Sequence, residues 1–367
     1  MHVTISDFPA NGNRLSAREI VELAQWAEQC GLDRFAVSDF PFHQDCLVQM
    51  AACLTATDRL VVESLVTTPY LRAPDQTAAA WATLAELSDG RAILGVGKGG
   101  TAPAVRAGAW GFSRPEPEAS VRDLINICRT MWRGDAPELD GGVLHTSGRR
   151  LDMAPPPYIP ILVAARGPRM LAVAGELADI VHIGAPFLGV PYLSQRIDAV
   201  RRGATMAGRP WTDIEIDLTV SISLGDAAPA RAAGELTSAA AITWLTESPK
   251  PGPGARGTPI GFAVPEATVD AIHRDWDVWT GAPLPSHVRA LLTDEVLRQF
   301  TVWGDPHACA LRITELLAAL PDVTGVRLKL PGRQTVNEYR QMIGLAGELA
   351  AELRDVAPIG GVIRDGS

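Results

Sequence analysis

The chain has 367 residues, 47% hydrophobic and 20% charged, a balance that supports a packed core and excludes disorder for the bulk of it. With 33 Lys plus Arg against 42 Asp plus Glu the net charge is −9, which argues against a nucleic-acid binder or a binder of anionic membranes. Five scattered cysteines without a C-x-x-C pair give neither a disulfide framework nor a zinc site, and no apolar run approaches the ~20 residues of a membrane span, so we read a soluble, cytoplasmic protein without a metal.

An extended stretch, His2 to Ser6, precedes Ser16-Ala17-Arg18-Glu19, an S-x-x-E capping box. Ile20, Leu23, Ala24, Ala27 and Cys30 then recur at helical spacing up to Gly31, a residue suited to the left-handed position that ends a helix. The unit repeats with a strand at Arg34 to Ser38 and a helix around Leu47 to Thr55. Further strands are expected near Leu60 to Val66, Ala92 to Gly97, Pro160 to Ala165, Asp179 to Gly184, Glu215 to Leu224 and Thr324 to Lys329, eight in all. Helices are expected at Thr77 to Leu87, Glu118 to Arg133, Pro168 to Leu177, Leu193 to Met206, Ala230 to Trp244 and Val336 to Arg354. Alternating strands and helices imply parallel pairing with right-handed crossovers, and eight units imply an α/β fold of the (β/α)8 TIM barrel type. An open doubly wound sheet should carry G-x-G-x-x-G at its first turn, where this chain has SDFPANGN. We read residues 1–367 as one domain. Within it, residues 247–300 are expected to form an insertion between strands seven and eight, with a Pro/Gly-rich start (Glu247 to Pro259) and helices at Pro265 to Trp279 and Ser286 to Phe300. An insertion that follows a strand starts on the catalytic face, where it would take part in substrate recognition.

Barrel chemistry sits where strands end. The fifth end is the most informative: in ILVAARGPRML the strand runs through Arg166-Gly167 into a helix beginning at Pro168. Helix-start N–H groups with Arg166 and Arg169 describe a phosphate pocket, unless Gly167-Pro168 is ordinary helix-start chemistry with solvent-exposed arginines. The second end reads Asp39-Phe40-Pro41-Phe42-His43, and His43 is either an acid/base group reaching inward from the loop or a surface residue. Glu63, inside the apolar VVESLV, is a candidate acid or one half of a buried pair, and His182 in DIVHIG has the same ambiguity, with a satisfied core histidine the favoured reading. Trp81, Trp110, Trp276, Trp279 and Trp303 line a pocket or pack as core.

The series GLDRFAVSD, TTPYLRAPDQTAAAWATLAELSDGRAILGVG and PILVAARGPRMLAVAGELADIVHIGA, extended by FTVWGDPHACALRITEL, resembles the bacterial luciferase-like superfamily, and within it the coenzyme F420-dependent branch typified by methylenetetrahydromethanopterin reductase. The resemblance implies a barrel holding coenzyme F420, or alternatively FMN, at the carboxyl ends of its strands. Asp39 would meet the ring system or the hydroxylated chain, and Ala164, Ala165, Arg166 and Gly167 would bind the cofactor phosphate. Leu65-Val66 falls where relatives carry a non-prolyl cis peptide behind the ring, with Thr67 next to it. Lys98, Arg166 and Arg169 could neutralise the acidic F420 tail, and Pro168 completes the phosphate segment. The candidate catalytic residues are His43 and Glu63. Two departures bear on the reaction: Phe40 stands where several relatives have histidine, and Gly100 where some have an acid. The resemblance thus implies hydride transfer between F420 and a small organic substrate. A monooxygenase fed with reduced FMN is the second reading, a non-catalytic flavin or deazaflavin carrier the third. A homodimer formed through outer helices is expected.

Overall fold

A computed structural model of the chain describes residues 1–6, 15–40, 43–99, 116–138, 142–184, 186–246, 258–278, 280, 282–332 and 334–356. In chain order the elements are β1 (His2–Ser6), α1 (Ala17–Gln29), β2 (Arg34–Val37), α2 (Cys46–Thr55), β3 (Val61–Ser64), α3 (Pro74–Leu87), β4 (Ala92–Gly97), α4 (Pro117–Trp132), β5 (Ile161–Ala165), α5 (Pro168–Leu177), β6 (Ile180–Ile183), α6 (Val190–Met206), β7 (Glu215–Leu224), α7 (Ala227–Thr246), α8 (Glu266–Asp275), α9 (Ser286–Leu291), α10 (Asp294–Leu297), β8 (Val302–Gly304), α11 (Pro306–Ala318), β9 (Gly325–Lys329) and α12 (Val336–Val356). Strands β1 to β7 and β9 pair in parallel and close into a ring, the eight-stranded barrel expected from the alternating pattern.

The local chemistry explains these elements. The capping box forms at the start of α1: Ser16 Oγ accepts from the Glu19 N–H at 3.3 Å, and Glu19 accepts the Ser16 N–H at 2.6 Å. Along the strands, one set of side chains (Val3, Ile5, Phe35, Val37, Val62, Leu94, Val163, Val181, Leu218, Val326) is buried beneath the helices. The alternate set fills the interior and divides into two sectors. Ile93, Leu162 and Ile180, with Val61, Leu65, Val66 and Ala164, make an apolar side. Thr4, Arg34, Glu63, His182, Asp217, Thr219, Ser221 and Arg327 are buried as well and make a polar one. The candidate site sits on this divided floor.

Two features depart from the sequence reading. A ninth strand, β8, pairs with the last three residues of β7, because β7 is ten residues long and overhangs the five positions that β9 covers. The helix expected over Ser286 to Phe300 is two helices, since Thr293 caps α10 by accepting the Val296 N–H at 3.4 Å and so restarts the chain after Leu292. This region is tied to the loop after β6. The Leu188 N–H donates to Gln299 O at 2.7 Å, and Phe187 packs among Phe262 and Phe300 with ring centroids 5.7 to 6.1 Å apart. No described helix is long and apolar enough to cross a membrane.

Candidate active site

At the ends of β2 and β3, Arg72 holds the rim together. Its guanidinium grips both carboxylate oxygens of Asp39 and lies 3.4 Å from Thr67 Oγ1 and 3.5 Å from Asp45 Oδ2. Asp45 also caps α2, accepting the Leu47 and Val48 N–H groups at 2.9 and 3.1 Å. A forked cation suits this task, since one planar group can bridge several oxygens at once. Arg72 follows Tyr70-Leu71 just ahead of a helix-starting proline, and sequence reasoning passed over it; a lone arginine in a strand-end loop was the available signal.

Between β3 and β4 the backbone approaches closely. The Leu65–Val66 peptide is cis, at the place the resemblance implied. Ser64 Oγ donates to Gly95 O and accepts from Gly95 N, at 2.8 and 2.9 Å, and a Cβ on Gly95 would lie 1.8 Å from the Ser64 carbonyl oxygen. A Cβ on Gly97 would come within 2.9 Å of Val66 Cγ2. Gly95→Ala is therefore expected to destabilise the protein by about 3 kcal/mol or more, read from denaturant unfolding, because backbone rather than a movable side chain must give way. The missing side chain at Gly97 lets Val66 and Ala164 pack closely against the β4 backbone.

At the β5 end, Gly167 is the N-cap of α5 and Pro168 its first residue. Ala165 is buried, whereas Arg166, Gly167, Pro168 and Arg169 are exposed. The Arg166 guanidinium stands 4.6 Å from the centre of the Trp244 ring. Arg169 pairs with Glu118 at 3.2 Å while its side chain stays largely exposed. Lys98 is exposed just beyond β4.

Glu63 lies fully buried among the interior polar residues. Arg327, also without exposure, donates to Glu63 through one arm and to Asp217 through the other, while its Nε–H donates to His182 Nδ1 at 3.2 Å. Arg34 and Glu215 form a separate bidentate pair at 2.7 and 2.9 Å. Burial raises the Glu63 carboxyl above its ordinary value despite Arg327; Asp217, with the Arg327 and Arg34 cations acting against its burial, is held below its ordinary value. Of the two alternatives the sequence left for Glu63, the structure displays the buried pair. His182 is likewise a bonded interior residue.

His43 closes a turn onto the Phe40 carbonyl at 3.1 Å, with its ring 5.4 Å from the Phe40 ring, and is partly exposed on the rim. His43 and Glu63 thus occupy different levels of the barrel. Trp81 and Trp276 are packed, their indole N–H groups donating to Ile93 O at 3.1 Å and Ala282 O at 2.9 Å. Gly100, Trp110, Trp279, Asp7-Phe8, Pro41-Phe42, Ala185 and residues 247–257 of the expected insertion lie outside the described residues.

Residues 1–322 match a protein family described as luciferase-like monooxygenase. The chain is 27% identical over 304 residues to a 5,10-methylenetetrahydromethanopterin reductase of Methanolobus tindarius, covering 82% of this chain and 86% of that protein. It is 34% identical over 230 residues to an F420-dependent glucose-6-phosphate dehydrogenase of Gordonia bronchialis, covering 59% and 67%. The coenzyme F420-dependent tetrahydromethanopterin reductase of Methanopyrus kandleri superposes with a TM-score of 0.70 at 22% identity, over 95% of this chain and 97% of that one.

Proposed function

Because the chain belongs to the luciferase-like monooxygenase family, we propose that it is a cytoplasmic F420-dependent oxidoreductase that moves a hydride between the deazaflavin and a small organic substrate. The observation that carries this reading is the rim at the β2 and β3 ends, where Arg72 fixes the Asp39 carboxylate beside Thr67 as a ready acceptor for N–H or O–H groups of a cofactor. When bound, F420 supplies a carbon centre that accepts or releases hydride.

Asp39, oriented by Arg72, accepts hydrogen bonds from the ring system or hydroxylated chain. Ala164 and Ala165 lead to Gly167-Pro168, where the first N–H groups of α5 and the Arg166 charge meet the phosphate. Lys98, Arg166 and Arg169 would supply positive charge for the acidic tail, Arg169 sharing its own with Glu118. His43 is the rim group placed to exchange a proton with solvent. Glu63 acts through Arg327 on the floor of the site rather than on substrate. The substrate lies beneath the segment carrying α8 to α10. Homodimer formation uses outer helices, where Val48 of α2 and Leu87 of α3 are exposed; light scattering at the monomer mass would refute it.

A reduced-FMN monooxygenase is the second reading, favoured by the family's description and by a phosphate segment that suits FMN equally. Titration with F420 and FMN, each oxidised and reduced, separates the two. Tight F420 binding with much weaker FMN binding, followed by turnover against a substrate panel, is expected; the reverse preference would overturn the F420 assignment.

A further inference from the structure

The interior polar sector has a direction built into it. Arg327 stays protonated throughout the accessible pH range, and its Nε–H donates to His182 Nδ1 at 3.2 Å. That nitrogen must be a bare acceptor, so the imidazole is neutral with its hydrogen on Nε2. Nε2 lies 3.3 Å from Thr219 Oγ1, and the imidazole is therefore the donor in that contact. The Thr219 oxygen accepts, and its own hydrogen has no acceptor among the described residues. Glu63 and Asp217 hold the two arms of Arg327, which fixes the start of the chain.

Thr219 faces the interior in register with Arg327, one inward step below Ser221 and Lys329 at the mouth, and His182 and Thr219 each retain 7% exposure. Gly184 keeps the space beside His182 open, because a Cβ there would stand 3.5 Å from His182 Nε2 and 3.4 Å from Arg166 Nε. In the closed ring β7 is four strands from β3 in either direction, so Thr219 lies across the barrel from Leu65 and Val66 at the β3 end.

We infer that Thr219 is a directional hydrogen-bond donor on the floor of the site, aligned by His182 and Arg327, and that it takes the carbonyl oxygen of a substrate lying between the cofactor ring and β7. Placing the cofactor against β3 rests on the F420 reading; the direction of the hydrogen-bond chain does not. Thr219 would touch substrate, while His182 and Arg327 are positioning residues. Among the described residues, the charged groups facing His182 include Arg327 from β9, Asp217 from β7, with Oδ2 3.9 Å from Nδ1, and Arg166 from the loop after β5.

Histidine-selective 15N labelling of the whole protein tests the direction, with the His182 signals assigned by their loss in His182→Gln. A neutral Nε2–H form that persists from about pH 5.5 to 8.5 is expected, whereas protonation near the ordinary histidine value of about 6.5, or an Nδ1–H form, would overturn the inference. Thr219→Ser should keep the His182 Nε2 signal in place and Thr219→Val should move it. In the F420-loaded protein, cyclohex-2-enone should shift the same signal in the unmodified chain and in Thr219→Ser but not in Thr219→Val, and its carbonyl-free counterpart cyclohexene should shift none of them. No response to the enone would overturn the ligand class. Absence of F420 binding with the tautomer intact would instead count against the cofactor reading.

Discussion

Arg327→Met is expected to lower the stability of the cofactor-free protein by about 3–5 kcal/mol, because it strands two buried carboxylates without their cation. Arg327 and Glu63 have no exposure and the Asp217 side chain 1%, so water cannot replace the lost partner. The sign of the pH dependence follows from the two carboxyls. Glu63 sits above its ordinary 4.5, so its contribution is most favourable at and below that pH and is lost as pH rises past it; Asp217 sits below its ordinary 3.8, so its contribution holds above that pH and is lost below it. Without Arg327 both carboxyls retain protons more tightly in the folded state, and the destabilisation should be smaller at about pH 5 than at about pH 8. Denaturant unfolding at the two pH values reads this directly. Combining Arg327→Met with Glu63→Leu and Asp217→Leu should restore much of the loss, since an apolar interior of similar volume needs no counter-charge. An equal loss in the single and triple variants would mean that packing, not charge, sets the cost.

The barrel was legible because its signal is periodic: AILGVG, PILVAA and DIVHIG announce strands covered on both faces, and SARE announces a helix start. The cis peptide position was legible only through resemblance, since nothing in the residues Leu65 and Val66 themselves demands it. Pairing across the barrel was not legible. Glu63 and Arg327 are separated by 264 positions, and only closure of the ring brings β3 and β9 to face a common interior. An arginine in GVRLK reads as solvent-facing alternation until the closed ring shows that the alternate face points inward. The same limit hid Arg72, whose carboxylate partners Asp39 and Asp45 lie 33 and 27 positions away in the loop between β2 and α2. Nor could local sequence show that Arg169 has Glu118 of α4 as an ion-pair partner on the surface.

Arg72→Met is expected to weaken F420 binding by about tenfold to a hundredfold while leaving the barrel folded, because the loss falls on positioning rather than on core packing. Arg72 bridges Asp39, Thr67 and the cap of α2, three points on the rim at the β2 and β3 ends. Without it Asp39 keeps its charge but loses a fixed orientation, so a hydroxyl or ring N–H of the cofactor meets a rotating acceptor. Arg72→Lys should recover only part of the affinity, since an ammonium group cannot grip both carboxylate oxygens in the plane of a guanidinium. Fluorescence titration with F420 measures each variant, and circular dichroism confirms the fold. A double-variant cycle then identifies the cause: if Arg72 works through Asp39, adding Arg72→Met to Asp39→Asn should cost little beyond Asp39→Asn alone. Full additivity would assign Arg72 its own contact with the cofactor, and undiminished F420 affinity in Arg72→Met would remove the β2 and β3 rim from the binding site.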